Sequence, residues 1–359
     1  MDRVEIMMPD NWHCHFRQGP MMMWMVKMLN ENGWCGRVLS MPNTNPPILN
    51  GEEAMTYFRE ISTESFRYEG NTLTMVPTIQ ITEQTTPQMI KSAWRRGIRV
   101  AKVYPRYVTT NSENGVVDYT KIYPALSPME DLSMVACFHP EHPSYSVEGL
   151  LKEAAFTEVL DKIRMVFPRL RVVVEHVTTG AMARWVYCQP VGLVGATITS
   201  HHLFITMDDV LGYSEASGGK MNVHNGCKPQ AKWREDRDFL VKTALSGDPH
   251  FFYGGDDAPH LEGDKHSGSC GVFNTTVALP LLIELFVNEG KLLELEQFLS
   301  VNGARFYGYK VLDRVVSKTL TFICSPWQVP SRYPVPNTNG AVVPFMAEKT
   351  MKWKLVEWF

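Results

Sequence analysis

The chain has 359 residues, of which 44% are hydrophobic and 20% charged, and its formal net charge is -3. This near-neutral charge and the absence of lysine or arginine runs give no electrostatic reason to expect binding to nucleic acid or to an anionic membrane, and no apolar stretch approaches the roughly 20 residues of a membrane helix. Seven scattered cysteines without a C-x-x-C pair, and an N-terminus without an apolar signal core, predict reduced thiols in a cytoplasmic protein with no disulfide framework.

Short apolar runs alternate along the chain with longer amphipathic segments. The candidate strands are Val4–Met8, Arg37–Met41, Leu73–Ile79, Ile98–Val103, Ser133–Phe138, Arg171–Glu175, Val194–Ile198 and Phe251–Gly254. The candidate helices between them are Gly51–Ile61, Pro87–Arg96, Tyr119–Glu130, Val147–Val166 and Arg234–Leu245. Eight strands that are each followed by a mostly helical connection predict an α/β fold, a (β/α)8 barrel of the TIM type. We expect residues 1–359 to form one domain, in which a tail from about residue 325 to 359 packs on the barrel.

The first candidate strand leads into a segment with two histidines and an arginine. Because residues two apart on an extended strand project to the same side, His13 and His15 can point at one metal ion, with Arg17 just beyond them. An arginine in that place suits a carboxylate or phosphate. Taken alone, His-x-His can equally be a pair of hydrogen-bonded structural histidines.

Reactive side chains also end most of the other candidate strands. Asn43 follows the second strand, Lys102 ends the fourth, and His139, His176 and Asp256 follow the fifth, sixth and eighth. In a (β/α)8 barrel these ends form one rim, where active sites lie. Lys102 lies within an apolar strand, where a charged lysine has to be neutralised or paired. The pattern therefore predicts a metal site at the C-terminal strand ends.

These residues, taken in order, resemble the dihydroorotase family of the monofunctional bacterial and fungal type, within the amidohydrolase superfamily. The matching segments run almost end to end: 10–17, 41–47, 101–105, 109–112, 174–179, 196–203, 227–229, 256–260, 300–303 and 344–347. The resemblance implies that one zinc ion is held by His13, His15 and Asp256 and a second by His139 and His176. It further implies that Lys102 is carboxylated on its amine and bridges the two ions together with a hydroxide. Nitrogen and oxygen ligands leave manganese and cobalt open as alternatives to zinc.

The same resemblance implies a reaction and a set of substrate contacts. The reaction is the reversible cyclisation of N-carbamoyl-L-aspartate to L-dihydroorotate plus water in pyrimidine biosynthesis, with Asp256 as the acid and base. Arg17, Asn43 and His260 would hold the substrate carboxylate. Backbone groups of Lys228 and Cys270 would contact the substrate, and Thr109 and Thr110 would lie on a mobile loop that closes over it. A homodimer is also implied.

Four positions depart from the family pattern, and two other functions remain as alternatives. Pro140 replaces a glycine, Gly255 and Asp257 replace small hydroxyl residues beside Asp256, and Arg106 has no evident role. One alternative is another cyclic-amide hydrolase, such as a hydantoinase or allantoinase. The other is a non-catalytic barrel that acts as a scaffold. The complete set of expected ligands favours an enzyme, and the threonine pair with the carboxylate-binding set favours the dihydroorotase.

Overall fold

A computed structural model describes residues 2–33, 35–68, 73–311 and 319–358. Residues 1 and 359, the ends of the expected domain, lie outside the described ranges, and the assignment of one domain to residues 1–359 stays a prediction. The strands are β1 (Arg3–Met7), β2 (Asn11–Cys14), β3 (Arg37–Ser40), β4 (Thr74–Val76), β5 (Thr78–Ile81), β6 (Val100–Val103), β7 (Val135–Phe138), β8 (Arg171–Val174), β9 (Val194–Ile198), β10 (Phe251–Tyr253), β11 (Thr319–Gln328), β12 (Tyr333–Pro334), β13 (Ala341–Val342) and β14 (Thr350–Trp358).

Helices follow most of the parallel strands. The α-helices are α1 (Gly19–Met28), α2 (Gly51–Ser65), α3 (Pro87–Arg95), α4 (Tyr123–Asp131), α5 (Lys152–Val166), α6 (Gly180–Tyr187), α7 (Ser200–Phe204), α8 (Met207–Leu211), α9 (Arg234–Ala244), α10 (Glu262–His266), α11 (Ala278–Asn288), α12 (Leu292–Glu296) and α13 (Asn302–Tyr307). Short 3-10 turns cover Tyr119–Ile122, Gly149–Leu151, Glu215–Ser217 and Val223–Asn225, and π turns cover Leu29–Gly33 and Gln297–Val301. No helix of the described ranges is long and apolar enough to cross a membrane.

The parallel strands form a closed barrel, which confirms the predicted (β/α)8 fold. Strands β2, β3 and β4 pair side by side, and β5 to β10 form a six-stranded parallel sheet in sequence order. The barrel closes between β2 and the segment after β10, where the His15 amide donates to the Asp257 carbonyl at 2.9 Å and the Asp256 amide donates to the His13 carbonyl at 2.9 Å. This closure places the first and last predicted metal ligands next to each other.

Two strand predictions are wrong in detail. The apolar run Val4–Met8 is not the first barrel strand: β1 (Arg3–Met7) pairs antiparallel with β11, outside the barrel, and β2 (Asn11–Cys14) takes the first barrel position. The predicted strand Leu73–Ile79 is divided at Pro77, so that β4 pairs with β3 and β5 pairs with β6. Proline has no amide hydrogen for a ladder, which explains the division.

The C-terminal tail joins the N-terminus in a second sheet. Its strand order is β1-β11-β14, with antiparallel pairing throughout. The N-terminal and C-terminal segments therefore pair with each other outside the barrel. Strand β11 already begins at Thr319, ahead of the boundary expected near residue 325. The sheet contributes Leu320, Phe322 and Trp353 to the main hydrophobic core.

Local sequence signals start several of the helices that follow the strands. The Asn50 side chain accepts from the amides of Glu52 and Glu53 at the start of α2, and Thr179 caps α6 by accepting from the amide of Met182. Such caps satisfy amides that have no partner within the helix. The loops at the pocket end of the barrel therefore pass into helices at fixed points, which holds the strand ends in place.

The bottom of the barrel is filled by a compact apolar cluster that includes Trp12, Val173, Phe252 and Tyr307. Gly303 on α13 lies directly against the Trp12 indole, where a Cβ atom would come within 2.0 Å of Nε1. Glycine is therefore required at this contact. The cluster makes the barrel a packed core with its polar side chains concentrated at the other end.

Candidate active site

The predicted site residues converge on one pocket at the C-terminal ends of the barrel strands. The pocket is lined by His13, His15, Arg17, Asn43, Tyr104, Thr109, Thr110, His139, His176, Lys228, Asp256, Ala258, Cys270 and Gly271. The two remaining predicted residues adjoin it. Lys102 is fully buried on β6, and His260 contacts Arg17 at the pocket wall.

Four imidazoles and a carboxylate lie together at the base of the pocket. The ring centroid of His13 is 5.3 Å from that of His15 and 5.0 Å from that of His176. The ring centroids of His139 and His176 are 4.7 Å apart. Asp256 Oδ1 is 3.1 Å from His15 Nε2 and 3.3 Å from His13 Nε2. His13, His176 and Asp256 each offer one ligand atom, and these atoms lie within 4.8 Å of one another. This is a chemically suitable donor set for a divalent metal.

Several buried polar atoms in this cluster have no hydrogen-bond partner among the described residues. They are His13 Nε2, Lys102 Nζ, Glu175 Oε1 and His176 Nδ1. Leaving such groups unpaired in the interior costs folding free energy. The imidazole nitrogens and the carboxylate oxygen can bind a divalent cation, whereas the Lys102 amine can do so only after it has lost its positive charge. The residues therefore fit the metal centre that the sequence predicts.

Burial sets the protonation states that this chemistry requires. It lowers the pKa of His13, His15, His139 and His176, which keeps the imidazoles in the neutral form that binds metals. Burial also lowers the pKa of Lys102. A lowered pKa increases the share of neutral amine, which is the form that can react with carbon dioxide. Burial raises the pKa of Asp256, which favours its taking up a proton.

Two glutamates that the sequence analysis missed orient these imidazoles. Glu175 Oε2 is 2.8 Å from His13 Nδ1 and accepts from the Thr197 hydroxyl at 2.7 Å, while Glu141 Oε2 is 2.6 Å from His139 Nε2. Burial opposes ionisation of Glu175, but Lys102 and His13 lower its pKa to about 2. Carboxylates behind metal-binding histidines fix the tautomer and the ring orientation. The available signal was position: Glu175 directly precedes His176, and Glu141 lies two residues after His139.

The backbone is strained at three of the site residues. The φ angles of Arg17, His176 and Asp256 are 64°, 39° and 47°, in a region of backbone conformation that residues other than glycine rarely adopt. Each of them directly follows or lies close behind a barrel strand. Strained residues of this kind concentrate at functional sites, where the surrounding structure holds them in place.

At the pocket wall, the Arg17 guanidinium contacts the neutral ring of His260 and a backbone carbonyl. Arg17 Nε donates to the Pro259 carbonyl at 3.2 Å, and its Nη2 lies 3.0 Å from His260 Nε2. The same His260 nitrogen lies 3.0 Å from the Cys270 carbonyl. One ring nitrogen can accept from arginine or donate to the carbonyl, but it cannot do both. Burial, followed by the charge of Arg17, lowers the pKa of His260 to about 3, so its ring is neutral near pH 7.

The loop that carries Thr109 and Thr110 lies folded against the pocket. Asn43 Nδ2 donates to the Thr110 carbonyl at 3.0 Å, and Asn111 Nδ2 donates to the Asn43 carbonyl at 3.0 Å. The Tyr104 hydroxyl, a second missed contribution, donates to Asn43 Oδ1 at 3.0 Å. The Thr110 hydroxyl lies 3.5 Å from the Cys270 carbonyl. Asn43 therefore connects the loop to the pocket.

Two of the departures from the family pattern have structural explanations. Arg106 Nε donates to the Gly115 carbonyl at 3.3 Å and the Arg106 amide donates to the Val116 carbonyl at 3.1 Å, so this residue joins the two ends of the loop. Asp257 is turned away from the metal ligands: its Oδ1 accepts from the Asn274 amide at 3.0 Å and its Oδ2 accepts from Asn11 Nδ2 at 3.3 Å. Asp256 alone of the pair lines the pocket.

Comparison with known proteins connects this site to one family. No protein-family model matches the chain. Dihydroorotases of Coxiella burnetii and Vibrio parahaemolyticus are 36% and 37% identical to it, over 99% of this chain and 98% and 100% of theirs.

Solved structures agree with the sequence relatives. A dihydroorotase from Saccharomyces cerevisiae in complex with 5-fluoroorotic acid superposes with a TM-score of 0.88 at 29% identity, covering 100% of this chain and 99% of that one. The dihydroorotase of Campylobacter jejuni gives a TM-score of 0.86 at 31% identity, covering 99% and 98%. An L-hydantoinase from Arthrobacter aurescens, 14% identical with a TM-score of 0.77 over 99% of this chain and 84% of that one, shares the fold. The chain belongs to the dihydroorotase family.

Proposed function

We propose that this chain catalyses the reversible cyclisation of N-carbamoyl-L-aspartate to L-dihydroorotate plus water, a step of pyrimidine biosynthesis. The observation that carries the proposal is the meeting of His13, His15, His139, His176, Lys102 and Asp256 at one barrel mouth in a chain of this family. We further propose that it acts as a cytoplasmic homodimer.

The metal centre is proposed from the donor set. His13, His15 and Asp256 would hold one zinc ion, His139 and His176 a second, and Lys102, carboxylated by carbon dioxide, would bridge the two. When bound, such a pair of cations lowers the pKa of a shared water molecule and polarises the substrate carbonyl. Carboxylation converts a buried cation into an anionic oxygen ligand, which removes the cost of burying the Lys102 ammonium.

Asp256 carries the proton in the proposed mechanism. Its Oδ1 lies 3.3 Å from His13 Nε2 and 3.1 Å from His15 Nε2, and its carboxylate faces the pocket. In the hydrolytic direction it accepts the proton of the attacking water and delivers it to the leaving ring nitrogen. In the biosynthetic direction it starts protonated, because acid and base exchange roles on reversal.

The pocket wall recognises the part of the substrate that does not react. Arg17 offers a planar fork of donors to the substrate carboxylate, supported by Asn43 and His260. The neutral ring of His260 can release Arg17 by donating to the Cys270 carbonyl instead. Backbone groups of Lys228 and Cys270, both at the pocket surface, would contact the substrate.

Thr109 and Thr110 complete the proposed enclosure. Both line the pocket, and the loop already contacts Asn43 and Cys270 across it. Closure over the substrate excludes bulk water and brings the threonine hydroxyls to the reacting end.

The test is an assay of the purified protein in both directions. We expect ring closure of N-carbamoyl-L-aspartate and ring opening of L-dihydroorotate, and close to two zinc ions per chain by elemental analysis. Hydantoin and allantoin serve as competing substrates. Faster turnover of either one would replace the proposal with the hydantoinase-like alternative, and a metal-free, inactive protein would support the scaffold.

A further inference from the structure

A second group of possible metal ligands lies outside the catalytic pocket. It consists of His224, on the 3-10 turn Val223–Asn225, and of Glu262 and His266, on α10. Each residue offers one ligand atom, and the three atoms lie within 4.8 Å of one another. None of the three lines the catalytic pocket. We propose that this group, His224, Glu262 and His266, binds one further divalent transition-metal ion, such as zinc, on each chain.

The local structure places the three ligands on facing surfaces. Glu262 and His266 are four residues apart on a helix, so they share one face of it. The ring of His224 meets that of His266 edge-on, with centroids 5.7 Å apart. Ligands bound to zinc at about 2.0–2.2 Å in a tetrahedral site are roughly 3.5 Å apart. Because Glu262 is half-buried and His266 exposed, side-chain rotation can make up the difference of about an ångström.

An independent observation points to a missing partner for His224. Its Nδ1 is buried and has no hydrogen-bond partner among the described residues. Two imidazoles and one carboxylate form a donor set with open positions for water, as in other three-ligand zinc sites.

Two neighbouring cations oppose binding and limit its strength. Arg332 Nη1 lies 3.3 Å from Glu262 Oε2, so it competes for this carboxylate. The Lys265 ammonium is held at a fixed point by the carbonyls of Gly226 and Gly271, at 2.8 and 2.7 Å. Both charges repel an incoming cation, so we expect a site of moderate affinity that the Arg332 side chain weakens.

The site would join two segments that form the catalytic pocket wall. His224 lies shortly before Lys228, and α10 lies between His260 and Cys270. The Gly271 amide donates to the Gly226 carbonyl at 2.9 Å, so the two segments already touch. A metal ion held by His224, Glu262 and His266 would add a second connection between them and stabilise the folded protein.

A second cluster of possible ligands, His201, His202 and Cys227, is less suitable. Thr199 Oγ1 lies 2.8 Å from His202 Nδ1 and the Pro229 carbonyl 3.1 Å from His202 Nε2, so both ring nitrogens are already paired. Burial raises the pKa of the Cys227 thiol to about 12, which disfavours the thiolate that a metal needs.

The experiment counts metal ions on the zinc-loaded protein. Wild type, His266→Ala, Glu262→Gln and the control Asp264→Asn are dialysed against micromolar free zinc and analysed for zinc per chain. Asp264 lies on the same short helix, is exposed and is outside the ligand group. We expect wild type and the control to hold one zinc more than His266→Ala and Glu262→Gln. The comparison is a difference between variants, so it holds whatever the metal content of the catalytic pocket.

A second measurement separates loss of binding from loss of folding. Zinc bound in the catalytic pocket should raise the Tm of all four proteins, and zinc bound to the additional site should raise the Tm further in wild type and Asp264→Asn alone. Arg332→Ser should hold the additional zinc at lower free concentration. Equal zinc content in wild type and His266→Ala, or loss of the additional zinc in Asp264→Asn, would overturn the proposal.

Discussion

The two halves of the catalytic pocket differ in how their polar groups are satisfied. We call His13, Lys102, Glu175 and His176 the strand-end cluster, and Arg17, Asn43, Thr110, His260 and Cys270 the rim cluster. Each member of the strand-end cluster has a buried polar atom without a hydrogen-bond partner among the described residues, although His13 Nε2 lies 3.3 Å from Asp256 Oδ1. Members of the rim cluster are hydrogen-bonded to one another or to nearby backbone.

The difference indicates two kinds of binding. A buried polar group that is left unpaired destabilises the fold, so the strand-end cluster suits a charged partner that stays bound. Groups that already pair with each other can exchange those partners for a substrate and return to them at little cost. The first cluster is therefore suited to a resident metal centre and the second to a substrate that comes and goes. Four experiments, each with its own substitutions, test this division.

The largest effect is expected at Lys102. A lysine that is protonated and not carboxylated has no lone pair to offer a metal ion, and its positive charge would repel two nearby cations. Lys102→Ala should therefore lose bound metal and activity together, as measured by elemental analysis and the ring-closure assay. Apo-protein with lysine in place should regain metal faster when bicarbonate is added. Full reactivation in carbon-dioxide-free buffer, with no added carboxyl mass on Lys102, would refute the bridging role.

The adjacent residues Asp256 and Asp257 separate a carboxylate that contacts the metal-binding histidines from one that supports the surrounding structure. Asp256 contacts His13 and His15, whereas Asp257 accepts from Asn11 and Asn274 on its other side. We expect Asp256→Asn to lower kcat by about 10²- to 10⁴-fold, the usual contribution of a positioned acid or base. Asp257→Ser keeps an acceptor oxygen and should retain most of the activity. Equal losses would show that the register assigned to this strand end is wrong.

The rim cluster is tested by removing the loop hydroxyls. Thr109→Ala together with Thr110→Ala leaves the Thr110 carbonyl free to accept from Asn43 as before, so the loop keeps its main contact. If the hydroxyls bind the reacting substrate, two hydrogen bonds of about 0.5–1.5 kcal/mol each are lost. We then expect kcat to fall by ~10- to 100-fold with metal content unchanged. A rise in KM alone would mean that the loop only assists binding.

Much of this division could be predicted from the sequence, because barrel topology turns strand order into proximity. Once eight strands are recognised, His13, Lys102 and Asp256 must meet, although they are up to 243 residues apart. Their partners are harder to predict. Glu175 and Glu141 reach the histidines only because of the direction of their side chains, which depends on packing. Tyr104 pairs with Asn43, which follows a strand two positions away in the barrel.

The misassigned first strand shows a different limit. Val4–Met8 has the apolar character of a barrel strand, and local pattern alone cannot distinguish it from one. Its actual partner, β11 (Thr319–Gln328), lies more than 300 residues further along the chain. Pairing over that separation leaves no local signal. Pro77, by contrast, was a visible sign that the third strand is interrupted.

The smallest effect concerns the anchor of the loop that carries the rim threonines. Glu83, in the turn after β5, accepts from the amides of Val117 and Asp118 at 2.9 and 3.0 Å and from Lys121 Nζ at 3.0 Å. These contacts hold the chain just beyond the loop. The backbone hydrogen bond from Asp118 is the main cause that lowers the pKa of Glu83 from 4.5 to about 2.

A folded-state pKa below the unfolded value means that the Glu83 carboxylate stabilises the protein above pH 4.5 and that this contribution is lost as the pH falls towards 2. Glu83→Gln keeps one acceptor oxygen but removes the charge, so we expect a loss of about 1 kcal/mol near pH 7. The Tm should fall by about 1–2 °C. The gap between variant and wild type should close on acidification below pH 4.5. The exposed loop control Glu113→Gln should keep the wild-type Tm near pH 7. A gap that stays constant down to pH 3 would mean that Glu83 acts through its shape and not through its charge, and the rim would then lack an ionic anchor.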